Sequence, residues 1–501
     1  GIEGLLHLQI ALNTGNLHRM YPFLSANQTM IDSLNLDSIE LSLEDAKFLM
    51  NTSLFQKHPY HFLAIACKNS DVEFIENILH CDFDFSQKTK ELFEIIDNCA
   101  SYNKLLALKT LHKNSIPIEL QTQSGTSLLH AACRSGNIEL ISWVLDLGYD
   151  INAKDNYGGS TLSYAFFCKT TSSELIDFFI LKGINIYEQF TNGKNIFHIA
   201  VEAQESIAIL KKLLEIDTES KFLSSCDEEG KRAIYYAITG HYKEAIDFLL
   251  EHTIDLNHQD ADGKTCLFYA IKEMPKVVKK LINHGIDLGI VDEKGQTALF
   301  SCYPKNIKVA QDIVNERPDL LIQKDFKGRT PLHVACSHVS LQDFQKLLAI
   351  AQEQSNDDNV LLWKDNSENT FLHYAASNDD ISVLSFLIQS GLNVNAKAKC
   401  DMTPLHICIK LVLENNARLL LLSGADFNAR LKDGTSCLDL AIQSDDEDSI
   451  QLFLEKGMWL FDRPLSITLP SNYFHDRIPK FVQIYYNTQC FDKIKNDADF
   501  T

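Results

Sequence analysis

No stretch of this sequence approaches the roughly 18 consecutive apolar residues that a membrane-crossing helix needs, and the N-terminus lacks the basic, apolar, small-residue order of a secretory leader. Neither a membrane span nor a signal peptide is expected. Cysteines number thirteen, an odd count, and no two stand in a C-x-x-C pair, which argues against a disulfide framework and a zinc ribbon and for a reducing, cytoplasmic home. Positive charge is short: 46 Lys and Arg against 67 Asp and Glu give −21. Phosphate backbones and anionic lipid are repelled at long range, so nucleic acid is not an expected partner, although a local basic patch stays open. Low-complexity sequence and linkers are missing too, since 45% apolar and 23% charged residues are ordinary values for folded material. The chain opens on Gly1 rather than Met, which leaves room for a further domain outside it.

What the sequence does have is self-similarity. A chain of 501 residues exceeds the size at which one hydrophobic core keeps growing, so several domains or a repeat array is expected. From Gly125 it reads GTSLLHAACRSGNIELISWVLDLGYDINAKD, from Gly328 GRTPLHVACSHVSLQDFQKLLAIA, from Glu368 ENTFLHYAASNDDISVLSFLIQSGLNVNAKA, and from Asp401 DMTPLHICIKLVLENNARLLLLSGADFNARL. Thr126 or Ser127 offers an N-cap hydroxyl, and Leu128, Ala131 and Ala132 give helical apolar spacing. Gly136 closes that helix. Ile138, Ile141, Val144 and Leu145 form the stripe of a second helix, which Gly148 ends. Asp150, Asn152, Asp155 and Gly158 or Gly159 are turn chemistry and predict a hairpin finger. Neither helix buries its stripe alone, so the pairs must stack.

This skeleton resembles the ankyrin family, whose repeat opens T-P-L-H-x-A, ends its second helix on aliphatics and continues G-A-D-x-N-A. Repeat starts fall near 122, 155, 190, 227, 260, 292, 325, 365, 398 and 431. The resemblance implies an all-α solenoid of about thirteen stacked helix-turn-helix repeats with hairpin fingers and a short non-repeat C-terminal cap. Its divisions are residues 1–120, degenerate repeats and cap; 121–459, about ten repeats; and 460–501, a non-ankyrin tail. Residues 32–48 depart most from the pattern and read as a longer loop. The Asn, Lys and Ile richness and the decayed repeats look like effectors of intracellular bacteria, for which the home would be the host cytosol.

Several motifs suggest chemistry, and the repeat accounts for each. Gly263-Lys264-Thr265 ends like a phosphate-binding loop, but no glycine stands five residues before Gly263 and the strand-loop-helix setting is missing. His130 and His333 lie three residues before Cys133 and Cys336, as in a thiolate–imidazole pair. Yet His130, His198, His333, His373 and His406 all occupy the T-P-L-H histidine, which the resemblance makes a structural tie to loop backbone. Asn152, Asn395 and Asn428 sit in the D-x-N-A-like turn, where the family's asparagines are hydroxylase targets; the plainer reading is a turn residue. The run Ser444-Asp445-Asp446-Glu447-Asp448 lacks the alternating spacing and central Gly of a calcium loop and reads as a solvated cap. No catalytic residue, metal or cofactor is expected.

Ankyrin domains bind through finger tips and the exposed side of the first helix. By register the candidates here are Arg134, Tyr157, Lys194, Thr239, Lys272, Lys327, Arg329, Ser337, Asn366, Asn369 and Lys410, with Arg and Tyr the types enriched at interface hot spots. The expected function is a monomeric protein-binding scaffold rather than an enzyme. Two alternatives remain. One is an adaptor for ubiquitin ligation, because Leu469-Pro470 followed by Ile478 and Phe481 is weakly similar to the start of an F-box, although Pro479 would break the required helix. The other is the targeting part of a larger enzyme.

Overall fold

The structure, a computed structural model, describes Tyr21 and residues 41–452 apart from positions 88, 120–121, 168–170, 220, 253, 304, 357–358, 445, 447 and 451. Contacts divide the chain into two compact units, Gly1–Ile254 and Asp255–Thr501. In the first, six antiparallel helix pairs follow one another: Pro59–Asn69 with Val72–Leu79, Lys90–Ser101 with Leu105–Lys113, Leu128–Ser135 with Ile138–Asp146, Thr161–Phe167 with Ser173–Leu181, Ile196–Glu202 with Ile207–Ile216, and Ala233–Thr239 with Lys243–Leu250. The second unit repeats the plan with Cys266–Glu273 and Pro275–Asn283, a 3₁₀ segment Ala298–Cys302 and Ile307–Glu316, Pro331–Cys336 and Leu341–Gln354, Phe371–Ala375 and Ile381–Gln389, Pro404–Lys410 and Glu414–Leu422, and then Cys437–Gln443.

Local chemistry sets these boundaries. Asn137 and Asp71 cap second helices, each side chain accepting a backbone N–H three residues on at 2.9 Å. Gly424 follows a second helix at φ +90°, a left-handed conformation that costs glycine least. One repeat has a 3₁₀ segment in place of its first helix, and it ends at Tyr303, which lies in the β region (φ −92°, ψ 135°), the conformation favoured before a proline in sequence.

The core is the stacked stripe that the periodicity requires. Leu128, Leu129, Ala131, Ala132, Cys133, Leu140, Ile141 and Val144 are fully buried. Cys133, Cys266, Cys302, Cys336, Cys408 and Cys437 are fully buried as well, and burial pushes the Cys266 and Cys437 thiols up to about 12. They pack as small apolar groups, not as thiolates.

Fingers are joined by backbone hydrogen bonds from tip to tip. In the second unit the N–H groups of Glu293, Phe326, Asn366, Lys399 and Lys432 donate to the carbonyls of Asp262, Lys294, Lys327, Ser367 and Cys400 at 2.7–3.1 Å. In the first, Asn156 donates to Ser124 and Glu228 to Asn192, both at 2.9 Å. Antiparallel bridges such as Lys364 to Thr370 and Arg430 to Ser436 close finger bases.

Part of the expected 32–48 loop is helical instead. Leu43–Leu49 is a helix, with Asp45 N donating to Ser42 Oγ at 3.2 Å and Ser42 Oγ donating to Asp45 at 2.6 Å. The signal was the S-x-x-D order, a capping-box variant that the repeat template masked. Residues 32–40, and the tail 460–501, lie outside the described residues.

Candidate interaction site

The T-P-L-H histidines are built into the helix start. In His130, His198, His333, His373 and His406 the ring Nδ1 accepts the backbone N–H of the capping residue three positions earlier, at 3.1–3.2 Å. That bond leaves Nε2 as the protonated nitrogen of the neutral ring. From His130 and His373 it reaches the next finger, at Gly159 O (3.3 Å) and Met402 O (3.1 Å). Burial lowers the affinity of all five rings for a second proton, and brings His198 and His333 to about 4. With Nδ1 engaged and the ring buried beside unionised thiols, the His–Cys spacing supports no nucleophile.

A second set of ties went unnoticed in the sequence. The finger aspartates Asp155, Asp227, Asp260, Asp292, Asp325 and Asp365 are sunk in their turns, and one carboxylate oxygen of each accepts backbone N–H groups two and four residues on, at 2.7–3.0 Å. In four repeats the other oxygen takes a tyrosine hydroxyl nine residues on: Tyr164 to Asp155 (2.6 Å), Tyr236 to Asp227, Tyr269 to Asp260 (2.6 Å) and Tyr374 to Asp365 (2.7 Å). The nine-residue Asp–Tyr spacing was the available signal. Each tyrosine fills the x of T-P-L-H-x-A, where the first helix faces the finger, so the tie fixes both the finger and an aromatic ring beside it.

The structure brings some candidate residues together. Arg134 and Tyr157 line one groove of about 1190 Å³ with Phe93, Asp97, Thr126 and Tyr164 among its walls. Arg134 pairs with Asp97 and stands 5.9 Å from the centre of the Tyr164 ring. Tyr157 is 70% exposed at the finger tip. Lys194 is drawn inward, with Nζ 2.8 Å from Glu202 and 4.3 Å from the centre of the Tyr236 ring. Thr239 is exposed at the end of that tyrosine's helix, with its hydroxyl donating to Tyr235 O at 3.0 Å.

In the second unit Arg329 forks onto Asp325 through two bonds of 2.8 and 2.9 Å. Ser337 Oγ donates to Tyr374 O (2.9 Å), and Asn369 Nδ2 donates to the Asp365 oxygen that also holds Tyr374 (2.9 Å). Asn366 joins the Lys327 finger by its backbone, and its side chain donates to Phe326 O at 3.0 Å. Phe326, 72% exposed at that tip, was overlooked because the template counts it as a turn residue. Lys272 and Lys410 are exposed on separate first helices, Lys272 beside Glu273 at 3.0 Å.

The remaining motifs are structural in their contacts. Lys264 Nζ bonds Asp262 at 2.9 Å, and Gly263 turns the finger at φ +75°. Asn152 spans to the next repeat, donating to Gly183 O (3.2 Å) and accepting from Asn185 N (2.9 Å); Asn395 does the same with Gly424 O (3.0 Å) and Asp426 N (2.7 Å). Asn428 donates its backbone N–H to Asp426 at 2.9 Å. Asp446, within the acidic run, accepts from Ser449 N at 3.0 Å. Among the described residues no group of three or more His, Cys, Asp or Glu could hold a metal ion, and no helix is long and apolar enough to cross a membrane.

Stacked helix pairs, fingers tied tip to tip and buried T-P-L-H histidines define a repeat array of the ankyrin class. The family model described as ankyrin repeats (3 copies) matches residues 63–155, 92–190, 162–260, 197–292, 299–398, 341–431 and 372–460, and the chain belongs to that family. It is similar to Rabankyrin-5 of Homo sapiens, 32% identical over 139 residues, 22% of this chain and 12% of that protein. B-cell lymphoma 3 protein of Homo sapiens is 28% identical over 26% of this chain and 30% of its own. E3 ubiquitin-protein ligase KEG of Arabidopsis thaliana is 22% identical over 68% of this chain and 19% of its own. The chain thus spans less than a third of each of these relatives. Among solved structures, the human ASB11 ankyrin repeat domain matches with a TM-score of 0.39 at 22% identity, covering 44% of this chain and 97% of that one.

Proposed function

We propose that this array is a protein-interaction scaffold, and that its first unit holds a partner protein in the groove of Phe93, Arg134, Tyr157 and Tyr164. The observation that carries the reading is that groove. Two candidates chosen from sequence register share it with two further aromatic rings. Arg134 is held in place by Asp97 and Tyr164, so ordering it on binding costs little, while exposed Tyr157 supplies contact area with few rotatable bonds. Arg329, Ser337, Asn366, Asn369 and Lys327 in the second unit, and Lys194, Thr239, Lys272 and Lys410 at equivalent positions, extend the reading as contacts of the same kind. The chain acts on this reading as a monomer in the cytosol and performs no catalysis. Quantitative affinity capture from cytosolic lysate tests it, comparing wild type with Arg134→Glu/Tyr157→Ala. Proteins enriched by the wild type should be lost from the variant; an unchanged set overturns the assignment of the groove.

A second reading, that the array targets a larger ubiquitin-ligase protein or adaptor, draws on the alignment with E3 ubiquitin-protein ligase KEG over 68% of the chain. Its F-box-like residues, Leu469 to Phe481, lie outside the described residues. Failure to co-purify with a Skp1-type protein dismisses the adaptor form.

A further inference from the structure

The chain carries 21 more acidic than basic groups, yet one stretch of surface inverts that balance. Residues 272–280 hold Lys272, Lys276, Lys279 and Lys280 against Glu273 alone, and residues 301–311 hold Lys305 and Lys308 with no acidic residue, the helix's two acids, Asp312 and Glu316, lying one and two turns beyond Lys308. Lys272, Lys276, Lys279, Lys305 and Lys308 are all exposed. Helix Pro275–Asn283 buries Val277, Val278 and Leu281, and helix Ile307–Glu316 buries Val309, Ala310, Ile313 and Val314, which turns Lys276 and Lys308 outward. Each is the second residue of its helix, one repeat apart. The two helices are neighbours, and neighbouring helices pack about 8–10 Å apart, so the two lysines stand at matching positions on adjacent outer helices. Lys279, one turn on from Lys276, adds a third charge. Among the described residues, ion pairing involves Lys272, at 3.0 Å from Glu273, but not Lys276, Lys279, Lys305 or Lys308.

Beside this cluster runs a shallow furrow of about 230 Å³ between helices Ile307–Glu316 and Leu341–Gln354. Five of its nine lining residues are aliphatic, Ile307, Ala310, Val314, Leu347 and Ile350; the one acid among the rest, Asp343, is engaged by Ser340 Oγ at 2.8 Å, Gln311 Nε2 at 3.4 Å and Lys346 at 3.9 Å. Exposed cations bordering an aliphatic furrow are complementary to a chain that alternates carboxylates with aliphatic side chains.

We propose that this outer-helix surface of the second unit docks an acidic segment of a partner protein, its carboxylates on Lys276, Lys279 and Lys308 and an aliphatic side chain in the furrow. A short segment fits a patch that crosses three successive outer helices. A nucleic-acid duplex or an anionic vesicle extends past it over a surface whose net charge repels polyanions, and neither offers a side chain for the furrow. The surface shares no residue with the Arg134 groove.

The test is fluorescence anisotropy of the full chain with a fluorescein-labelled peptide of alternating Glu and Leu. Its comparators are a Lys/Leu peptide, duplex DNA and phosphatidylserine vesicles. The acidic peptide should bind, weaken on going from about 0.05 to about 0.5 M salt, and lose about tenfold or more in affinity in Lys276→Glu/Lys279→Glu/Lys308→Glu. The milder Lys276→Gln/Lys279→Gln/Lys308→Gln should lie between if the folded state, checked by circular dichroism, is intact. Unchanged peptide affinity in both variants overturns the proposal. So does tighter binding of the DNA or the vesicles than of the peptide. A dimer seen by sedimentation and abolished by the Glu variant makes the occupant a second copy of this chain and likewise overturns it.

Discussion

Acidification from pH 7 to pH 5 should destabilise the array through its buried histidines, and the size of the effect follows from their burial. His198 and His333 are fully inaccessible and their folded-state pKa falls to about 4, with burial as the largest cause. In the unfolded chain the value is about 6.5. The unfolded state therefore binds more protons between those values, and stability rises with pH across the window and is lost as pH falls. Weighing the two titrations gives about 2 kcal/mol lost per histidine between pH 7 and pH 5, so about 4 kcal/mol for the pair. His130, His373 and His406 are shifted in the same direction and add to it. The carboxylates that hold the fingers, Asp325 and Asp365, are lowered despite burial, by bonds from Gln296, Arg329, Asn369 and Tyr374. Their contribution is intact above the ordinary carboxylate value and is lost only at lower pH, so this window isolates the rings. Urea unfolding followed by circular dichroism at pH 5, 6 and 7 measures the slope, and His333→Gln should flatten it while lowering stability at pH 7. Equal stability at pH 5 and 7 in the wild type, or an unaltered slope in the variant, refutes the assignment of neutral buried rings.

Three further outcomes are expected. Tyr374→Phe removes the hydroxyl that Asp365 accepts at 2.7 Å and should cost about 1–3 kcal/mol, read as a lower urea midpoint; Tyr102→Phe, at a ring 72% exposed, should cost nothing measurable. Gly263→Ala forces a side chain into φ +75° with its Cβ 2.9 Å from Glu293 N, and should lose about 1–2 kcal/mol or more, with faster hydrogen exchange at the Glu293 amide as the local sign. Asn395→Ala deletes both bonds to the next repeat, to Gly424 O and from Asp426 N. A loss of about 1–2 kcal/mol and earlier protease cleavage near residue 424 should follow.

The fold was legible because its determinants are local and recur. A cap, an aliphatic stripe and a turn every repeat can be read from sequence, and at finger starts such as 227, 260, 292, 325 and 365 the register falls on a buried aspartate in the structure. What stayed hidden was pairing across the repeat. Asp365 and Tyr374 are each explained by their own segment, one as turn residue and one as helix filler, and only geometry shows that a carboxylate already saturated by two backbone N–H groups keeps a second oxygen for the hydroxyl. The candidate site divides on the same principle. Register finds residues that leave the core, such as Arg134 and Lys194, but not how far their charge is already satisfied. Lys194 is absorbed by Glu202 and the Tyr236 ring, whereas the Tyr157 ring keeps most of its surface exposed beside a held Arg134. The lysines at 276 and 308 escaped for the opposite reason. They lie outside the motif positions, and it takes the alignment of successive outer helices to bring residues 32 apart into one patch of charge. In a repeat protein the motif thus reports what every repeat must do to stack, while specificity resides where one repeat departs from it and its neighbour departs in the same place.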